Sequence, residues 1–504
     1  MKIEALDINK NPRKRRNHVF LEMTQSLCSR CLKLVDAKVL MQDNKIIMRK
    51  WCREHGFESA LLHSDAQWYL NSMKYNRPGD IPLKFPTKVE RGCPYDCGLC
   101  PDHEQHICLA LIDLTDACNL ACPTCFSDSN GSAYLTMDQI HSSIDGYIEQ
   151  EGVGGVLQFS GGEPTLHPQI VEAVALAVSK PIEVVMINTN GVKIAEDEDF
   201  VKRLRDVSDY KLEIYLQFDG FTDDVFMKIR GAKLYDLKMR AIENLIKHEV
   251  PINLTCVVKR DVNEDQVGQI VEFGVKTKGI RGVNFQPAFF AGRYDHADPM
   301  NRVTNTEILD LIEDQTNGMF LKTDFLPLPC SYPSQIALTY AYIHRGKVKP
   351  IPRFVNLEPY MDEFTNTVFV DPRPIYKKAI EGLWSASTSF SSMKTLYDFS
   401  CVCGIPVKKD FYSLEGRAKI ADENAFRIML IQFQDKYSWD IKVTKKCCIG
   451  QALPDGRVIP FDAYNVLYRE THEVKYWANG NIPKPIPQPE PFALPMLPEN
   501  EIAW

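Results

Sequence analysis

Three cysteines, Cys118, Cys122 and Cys125, stand in the spacing C-x3-C-x2-C within the segment LIDLTDACNLACPTCF. Three thiolates hold three corners of a 4Fe-4S cube, so the fourth iron of such a cluster is left open for a small molecule. An open iron predicts a cluster that performs chemistry rather than one that only passes electrons. A zinc site is the alternative that three clustered cysteines leave open by themselves.

A second motif follows the next strand-like segment, an apolar run that ends at Phe159. This tight turn contains Gly161, Gly162, Glu163 and Pro164. With the turn in register after the cysteine triplet, the chain resembles the radical S-adenosylmethionine (SAM) superfamily, whose open iron is chelated by the amino and carboxylate groups of SAM. The resemblance implies that the turn receives the SAM amino group. One position departs from the superfamily pattern, because Thr124 stands where an aromatic residue usually precedes the third cysteine.

Strand-like and helix-like segments alternate from residue 107 to about 320. The predicted strands end at Leu114, Phe159, Asn188, Phe218, Val258 and Pro287. The predicted helices lie near 136–150, 167–179, 197–208, 236–249, 264–278 and 305–318. This alternation predicts an α/β fold with a parallel sheet, right-handed crossovers and functional residues at the carboxyl ends of the strands. The resemblance implies a partial (β/α)6 radical SAM barrel.

Polar residues follow the third and fourth predicted strands of this barrel. Asn190 lies in the segment NTNG, and Gln217 and Asp219 lie in the segment QFDG. The resemblance implies that these three side chains contact the ribose and the carboxylate of SAM. Each is equally compatible with an ordinary turn position, because Asn-Gly and Asp-Gly are common turn dipeptides.

The first 90 residues contain a separate metal-binding module, with strand-like segments at Ala37–Met41 and Ile46–Arg49. Its candidate ligands are Cys28, Cys31, Cys52 and His55. Two short turns that each present a pair of ligands suit one tetrahedral ion on a hairpin, either zinc or a rubredoxin-like iron. Such an ion would supply much of the folding energy of a small module. A cysteine of the next group competes with His55 for the fourth position, and His55 is otherwise an ordinary surface histidine.

Residues 91–106 form a short segment rich in Pro, Gly and Asp that leads into the barrel region, 107–320. Four cysteines belong to this group: Cys93, Cys97, Cys100 and Cys108. Four thiolates close a cube, so the spacing predicts an auxiliary 4Fe-4S cluster without an open iron, with a zinc knuckle as the alternative.

The region 321–504 loses the regular alternation and is predicted to be a C-terminal iron–sulfur extension. Its cysteines are Cys330, Cys401, Cys403, Cys447 and Cys448. They could supply a second auxiliary cluster from positions that are distant in sequence. Proline occupies nearly every second position from Ile482 to Pro498, which is typical of an extended polyproline-like strap or a disordered end.

The composition excludes several classes of protein. The 504 residues carry a net charge of −7, so no global field favours nucleic acid. No apolar stretch approaches the roughly 18 residues that span a bilayer, and the N-terminus lacks the apolar region of a signal peptide. The 16 cysteines without a secretory signal favour metal binding in a reducing compartment, and a cytoplasmic location is expected.

A closer resemblance covers nearly the whole chain. It depends on the run from 91 to 126 together with FSGGEPT, NTNG, QFDG and a C-terminal PDGR segment. These motifs are similar to those of the archaeal tetraether lipid synthases and their bacterial relatives, once described as class D radical SAM methylases. The resemblance implies further 4Fe-4S clusters, a mononuclear iron and coupling of two unactivated lipid carbons. Gln335 and Asp462 stand where such relatives commonly have cysteine, which puts the ligand set of the C-terminal cluster in doubt.

Three functional hypotheses follow from these motifs. The first is carbon–carbon coupling on lipid chains, which requires a long apolar channel and adds a transient contact with a membrane surface. The second is radical methylation of a small molecule such as a pterin, which requires a pocket with several hydrogen-bonding groups. The third is a non-enzymatic iron–sulfur carrier or sensor. Either enzyme would need a lipid or small-molecule substrate, SAM and a low-potential electron donor of the flavodoxin or ferredoxin type.

Overall fold

A computed structural model of the chain describes residues 17–208, 211–294, 298–328, 331–344, 346–353 and 424–481. Three predicted ligands, Cys330, Cys401 and Cys403, lie outside the described residues, as does the proline-rich segment from Ile482 to Pro498. Within the described ranges, none of the helices combines the length and the apolar character that crossing a bilayer requires.

The N-terminal module is an antiparallel sheet whose four described strands pair in chain order. The strands are β1 (Val19–Leu27), β2 (Leu34–Gln42), β3 (Lys45–Cys52) and β4 (Gly56–His63). Asp43 and Asn44 join β2 to β3 with left-handed φ angles of 50° and 58°, which suits a tight hairpin. Both strand-like segments predicted here lie within β2 and β3, whereas β1 and β4 were not predicted. Helix α1 (Ala66–Ser72) follows and buries Tyr69 against Val39 of β2.

The centre of the molecule is a run of six parallel strands. These are β5 (Leu109–Thr115), β6 (Gly154–Gly161), β7 (Ile182–Thr189), β8 (Leu212–Gln217), β9 (Ile252–Val258) and β10 (Ile280–Pro287). The last two strands end at the predicted residues, and the other four end within two residues of them. The prediction of an α/β fold with a partial-barrel parallel sheet is therefore confirmed.

Helices connect these strands. They are α2 (Met137–Glu151), α3 (Ile170–Ser179), α4 (Val192–Glu196), α5 (Glu198–Val207), α6 (Asp223–Arg230), α7 (Tyr235–Lys247), α8 (Val267–Lys276) and α9 (Asn305–Gln315). The six predicted helices are all present, and the short helices α4 and α6 are additional. Helix α6 begins after Thr222, whose hydroxyl accepts from the Val225 amide, and ends at Gly231, whose φ of 76° is a left-handed conformation.

The chain beyond residue 320 adds strands to both ends of the same sheet. The added strands are β11 (Leu326–Pro327), β12 (Ile336–His344), β13 (Lys347–Pro350), β14 (Ala425–Ile431), β15 (Ile449–Ala452) and β16 (Val458–Pro460). Strand β14 pairs in parallel with β10, and β15 pairs in parallel with β5. The helices in the described part of this region are α10 (Ile441–Lys445), α11 (Phe461–Ala463), α12 (Arg469–His472) and α13 (Val474–Ala478).

The two faces of the central sheet differ in chemistry. Alternate residues such as Phe159, Ile187 and Leu254 are fully buried against the helices in the main hydrophobic core. The residues between them point to the opposite face, here called the inner face, which is the side that contains Tyr215 and Met429. The inner face and the loops at the carboxyl ends of its strands contain the candidate site.

Candidate active site

The cysteine triplet lies on the loop that follows β5. Cys118, Cys122 and Cys125 are all partly exposed, and the Cys125 amide donates to the Cys122 carbonyl at 3.2 Å. The Ala117 amide donates to the hydroxyl of Thr115 at 3.0 Å, which fixes the start of the loop at the end of the strand. The structure thus presents the three thiols at the carboxyl end of the first barrel strand, where the sequence predicts them.

A loop after β10 holds the far end of this cysteine loop. Arg293 donates from its backbone amide to the Cys125 carbonyl at 2.9 Å and from Nη1 to the Cys122 carbonyl at 3.2 Å. Its Nε donates to Asp128 at 2.7 Å. A side chain at Gly292 would place its Cβ 2.4 Å from the Cys125 carbonyl oxygen, so only glycine permits this approach. Nothing in the sequence motifs pointed to Arg293.

Thr124, which stands in the usual aromatic position, has a structural role. Its hydroxyl donates to the carbonyl of Ile229 at 2.9 Å, near the end of α6. The following residue, Phe126, packs against Phe289 with ring centroids 5.2 Å apart. The loop is therefore attached to α6 on one side and to the strand-end aromatics on the other.

Asp219 is a predicted SAM contact whose carboxylate is paired with another side chain of the barrel. Its carboxylate is fully buried and forms a two-pronged ion pair with Arg230, with nitrogen–oxygen distances of 2.5 and 2.9 Å. The Val257 amide donates to the same carboxylate at 3.0 Å. These groups occupy the carboxylate, so the structure gives Asp219 a supporting role, and its contact with SAM stays a prediction. Asp219 orients Arg230, whose guanidinium lies beside Cys122 and opposes the rise in the pKa of that thiol on burial.

The glycine turn packs directly against the cysteine loop. The Gly162 amide donates to the Thr115 carbonyl and the Glu163 amide to the Ala117 carbonyl, both at 2.8 Å. A Cβ at Gly162 would lie 2.1 Å from the Ala117 carbonyl oxygen, so the close approach requires glycine. Gly161 and Gly162 keep partly exposed backbone, as a turn that receives an amino group needs.

The Glu163 side chain is buried and holds the turn rather than facing the site. It accepts hydrogen bonds from the Thr165 hydroxyl at 2.6 Å, from the Thr189 hydroxyl at 2.7 Å and from the Asn190 amide at 2.8 Å. Burial raises the pKa of Glu163, although these donors oppose the rise. Glu163 therefore ties the turn after β6 to the turn after β7, and Pro164 is buried beside it.

Asn190 and Gln217 reach the strand ends as predicted. The Asn190 side chain donates to Asn119 of the cysteine loop at 2.7 Å and accepts from the Val192 amide at 3.0 Å. Gln217 is partly exposed and donates to Asn188 at 3.3 Å, which leaves its carbonyl oxygen available. Gln217 thus stays a candidate for SAM, whereas Asn190 serves first to position the loop.

The residues present fit a 4Fe-4S cluster at the triplet. Burial raises the pKa of the Cys118 thiol to about 11, and coordination to iron would displace the proton that this thiol otherwise keeps. Cationic side chains surround the loop: Arg230 lies beside Cys122, Arg293 donates to the Cys122 carbonyl, and Arg469 lies over the Phe126 ring at 5.5 Å. These cations offset the negative charge of thiolates and sulfides.

The N-terminal ligands meet the geometry of one tetrahedral ion. The ligand atoms of Cys28, Cys31, Cys52 and His55 all lie within 4.8 Å of one another. The Cys31 and Cys52 sulfurs are 3.9 Å apart, and His55 Nδ1 is 3.4 Å from the Cys28 sulfur and 3.6 Å from that of Cys52. A tetrahedron with metal–sulfur bonds of ~2.3 Å has edges of about 3.8 Å between sulfurs and about 3.6 Å between sulfur and nitrogen. His55 therefore lies where the fourth ligand of such a site would stand.

The second cysteine group is only partly assembled as predicted. Cys93, Cys97 and Cys100 line one small cavity together with His103 and Lys445. Cys108 does not line that cavity. It lies just before β5, where its sulfur is 3.4 Å from His106 Nε2 and its amide donates to the Cys448 carbonyl. The structure therefore places three of the four predicted ligands around one cavity and Cys108 outside it.

The described C-terminal cysteines do not by themselves form a cluster site. Cys447 and Cys448 are buried, and the Cys447 sulfur contacts the Ile449 carbonyl at 3.2 Å. Asp462, one of the two departures from the family pattern, lies near Cys447, but Gln434 donates to both of its oxygens at 3.2 and 3.0 Å. Gln335 lines a separate cavity beside His63.

The inner face below the cysteine loop presents polar side chains on its central strands. Its inward side chains on β6–β10 include Gln158, Ser160, Asn188, Tyr215, Gln217, Asn253, Thr255, Asn284 and Gln286. Gln286 donates to the Tyr215 hydroxyl at 3.2 Å, and Arg427 of β14 donates to Asn253 at 3.2 Å. Apolar side chains of this face concentrate instead on β5, β12, β14 and β15.

A closed set of four aromatic rings stands at the strand ends. Successive ring centroids are 5.2 Å apart for Phe126 and Phe289, 6.0 Å for Phe289 and Phe433, 4.5 Å for Phe433 and Phe461, and 6.0 Å for Phe461 and Phe126. Beside it Arg469 donates to Asp113 at 3.0 Å. This aromatic set and Arg469 come largely from regions that the sequence motifs did not identify.

Comparison with known families supports the site. The radical SAM superfamily model matches residues 112–274, and the model described as the HMPTM N-terminal zinc ribbon domain matches residues 20–64. The first covers β5 to α8, including the cysteine loop and the glycine turn. The second covers the four-ligand site. These matches confirm the predicted 4Fe-4S cluster and SAM as cofactors, and the extra metal site of the N-terminal module.

Individual relatives are also similar to this chain. The 7,8-dihydro-6-hydroxymethylpterin dimethyltransferase of Methanocaldococcus jannaschii is 32% identical over 491 residues, which cover 90% of this chain and 95% of that protein. A GTP 3',8-cyclase of Clostridium perfringens is 24% identical over 40% of this chain and 61% of its own length. The structure of Streptococcus suis SuiB bound to S-adenosylmethionine aligns with 42% of this chain and 47% of that chain, at a TM-score of 0.34 and 14% identity.

Proposed function

Because this chain belongs to the radical SAM superfamily and, within it, to the family of the M. jannaschii 7,8-dihydro-6-hydroxymethylpterin dimethyltransferase, we propose that it is a radical methyltransferase of a reduced pterin. It is an enzyme that cleaves SAM reductively and therefore needs a low-potential electron donor. The relative matches the alternative of small-molecule methylation. Lipid coupling, the first hypothesis from the motifs, is accordingly not part of the proposal, and neither is a membrane contact.

The observation that carries the proposal is the polar inner face. A lipid chain requires a long apolar channel, because an unactivated carbon can be presented only by gripping the rest of the chain. The strands β8, β9 and β10 instead present Tyr215, Thr255 and Asn284 toward the interior, all of them buried. A flat heterocycle with several hydrogen-bonding atoms matches such a lining, whereas an acyl chain would leave these groups unpaired.

When bound, the cluster and SAM supply a 5'-deoxyadenosyl radical that removes a hydrogen atom from an inert C–H bond. The chain's own residues position the reacting groups and exclude water from them. Gly161 and Gly162 hold the turn against the cysteine loop, Arg293 fixes the two later cysteines, and the inner face orients the substrate below them. The aromatic set of Phe126, Phe289, Phe433 and Phe461 lies at the strand ends, where it limits access of water.

The test is an anaerobic assay of the fully reconstituted protein with SAM, titanium(III) citrate and 7,8-dihydro-6-hydroxymethylpterin. We expect 5'-deoxyadenosine together with a pterin whose mass has increased by one or two methyl groups. Labelled SAM methyl groups then distinguish SAM from a second methyl donor as the carbon source.

The matched control is the Cys118→Ala variant, which should yield neither product. Formation of 5'-deoxyadenosine without any methylated pterin, with each methyl donor supplied in turn, would contradict the pterin assignment while leaving the superfamily membership intact.

A further inference from the structure

Among the described residues, one buried amide on the inner face has no hydrogen-bond partner. The Asn284 side chain is 0% exposed, and neither its Oδ1 nor its Nδ2 has a partner among the residues that the structure describes. A buried amide that loses its hydrogen bonds to water carries the full desolvation penalty, so native proteins leave few such groups unpaired. An unpaired donor and acceptor on one side chain therefore suggest a partner that is not part of the fold.

The position of Asn284 connects it to the site. It lies on β10 opposite Thr255 of β9 and Met429 of β14, and Thr255 in turn lies opposite Gln217, the SAM candidate at the end of β8. Its neighbours Val283 and Phe285 belong to the core on the helix side. Because side chains alternate along a strand, the Asn284 amide points to the inner face.

The polar groups one row further from the strand ends are already paired with one another. Asn253 donates to Glu213 and accepts from Arg427 at 3.2 Å, and Arg281 donates to Glu213 at 3.2 Å. This network closes the base of the barrel. Asn284 stands between this closed base and the cysteine loop, flanked by the thioether of Met429.

We propose that Asn284 determines substrate specificity by binding the lactam edge of the pterin ring, with Oδ1 accepting from N3–H and Nδ2 donating to the C4 carbonyl. A side-chain amide carries an acceptor and a donor side by side, which complements a ring amide with two hydrogen bonds. The inference rests on the proposed function and deepens it.

The test compares KM and kcat of the wild type with those of Asn284→Leu and Asn284→Asp, using 7,8-dihydro-6-hydroxymethylpterin and its N3-methyl derivative. Leucine has a similarly branched shape, although a larger volume, and neither hydrogen-bonding group, so KM for the pterin should rise about tenfold to a hundredfold while kcat changes little. The wild type should discriminate against the N3-methyl derivative, and the leucine variant should not. Aspartate keeps the volume and polarity but cannot donate when ionised, so it should also raise KM.

Thr339→Val is the matched control. The Thr339 hydroxyl is buried and unpaired among the described residues, but it alternates with the inward residues Leu338 and Tyr340 and so points to the helix side of β12. Its removal should leave KM unchanged. A purely structural role of Asn284 predicts no change in KM, because deleting an unpaired buried amide leaves stability equal or higher.

The outcomes separate the two proposals. An increased KM with lost N3-methyl discrimination supports the role of Asn284. A leucine variant with wild-type KM, or a wild type that accepts the N3-methyl derivative equally well, overturns it while pterin methylation stands. If the leucine variant does not fold, wild-type KM in the aspartate variant overturns the role in the same way. A wild type that methylates no pterin overturns both, and that failure is visible without any variant.

Discussion

The two metal-binding regions of this molecule are built in opposite ways. The N-terminal site takes its four ligands from two turns of one small sheet, between Cys28 and His55, and their atoms already lie at tetrahedral spacing. The cysteine loop after β5 depends on distant parts of the chain, including Arg293 after β10, Ile229 of α6 and Gly162 after β6. A structural ion can be held locally, whereas a reactive cluster must be positioned against substrate by the whole barrel.

The reactive site can be removed while the N-terminal site is left intact. Replacing Cys118, Cys122 and Cys125 together by Ala should abolish 5'-deoxyadenosine formation, because the triplet holds the iron that binds SAM. The N-terminal metal and the folded barrel should persist. Product analysis and metal content of the anaerobically purified variant measure both, and retained SAM cleavage would remove the central assignment.

The converse experiment removes only the local site. Cys52→Ala should unfold the N-terminal sheet locally, because apparent binding energies of structural zinc reach about 10 kcal/mol in small domains. We expect new proteolytic cuts within residues 20–65, while SAM cleavage continues. Cys256→Ala is the control, because Cys256 is buried in the barrel core and lies outside the predicted metal ligands. An unchanged digestion pattern in the Cys52 variant would show that the sheet is stable without its ion.

Residue spacing predicted the N-terminal metal site more completely than the surroundings of the cysteine loop. Four ligands within one short module can be predicted because residues that are close in sequence are also close in space there. The strand ends can be predicted because the alternation of strands and helices sets them. The residues that hold the cysteine loop in place cannot be predicted from spacing, since Arg293 and Asp128 are 165 positions apart. The ion pair of Asp219 was not predicted for the same reason. Its turn dipeptide is visible in the sequence, but the buried Arg230 that occupies its carboxylate is identified only by the fold.

The Asp219–Arg230 pair tests how strongly the barrel supports the loop. Arg230→Met leaves a carboxylate buried without its partner, which typically costs 3–5 kcal/mol, so the melting temperature and SAM binding should both fall markedly. Lys228→Met is the matched control on the same helix, because its ion pair with Asp224 at 2.7 Å is solvent-exposed and should contribute less than about 0.5 kcal/mol. Equal effects of the two substitutions would contradict a supporting role for the buried pair.

The smallest expected effect concerns the contact between the N-terminal sheet and the barrel, here called the seam. His63 ends β4, is buried, and lies beside Tyr69 with ring centroids 5.2 Å apart. Across this seam Gln432 donates to the Leu62 carbonyl at 2.8 Å, and the Leu61 amide donates to the Pro299 carbonyl at 3.0 Å. Burial, reinforced by Arg302 and opposed by Asp65, lowers the pKa of His63 from 6.5 to about 3.

A lowered histidine pKa makes the seam sensitive to acid. Above pH 6.5 His63 is neutral in both the folded and the unfolded chain, and its contribution to stability is complete. As pH falls toward 3, the unfolded chain binds a proton that the folded chain refuses, so stability decreases by about 2 kcal/mol between pH 7.5 and pH 5. His63→Phe removes the titration, and its unfolding free energy should lose about 2 kcal/mol less than that of the wild type over this interval. Parallel pH profiles of the two proteins would show that His63 reaches solvent and that the N-terminal sheet is not sealed against the barrel.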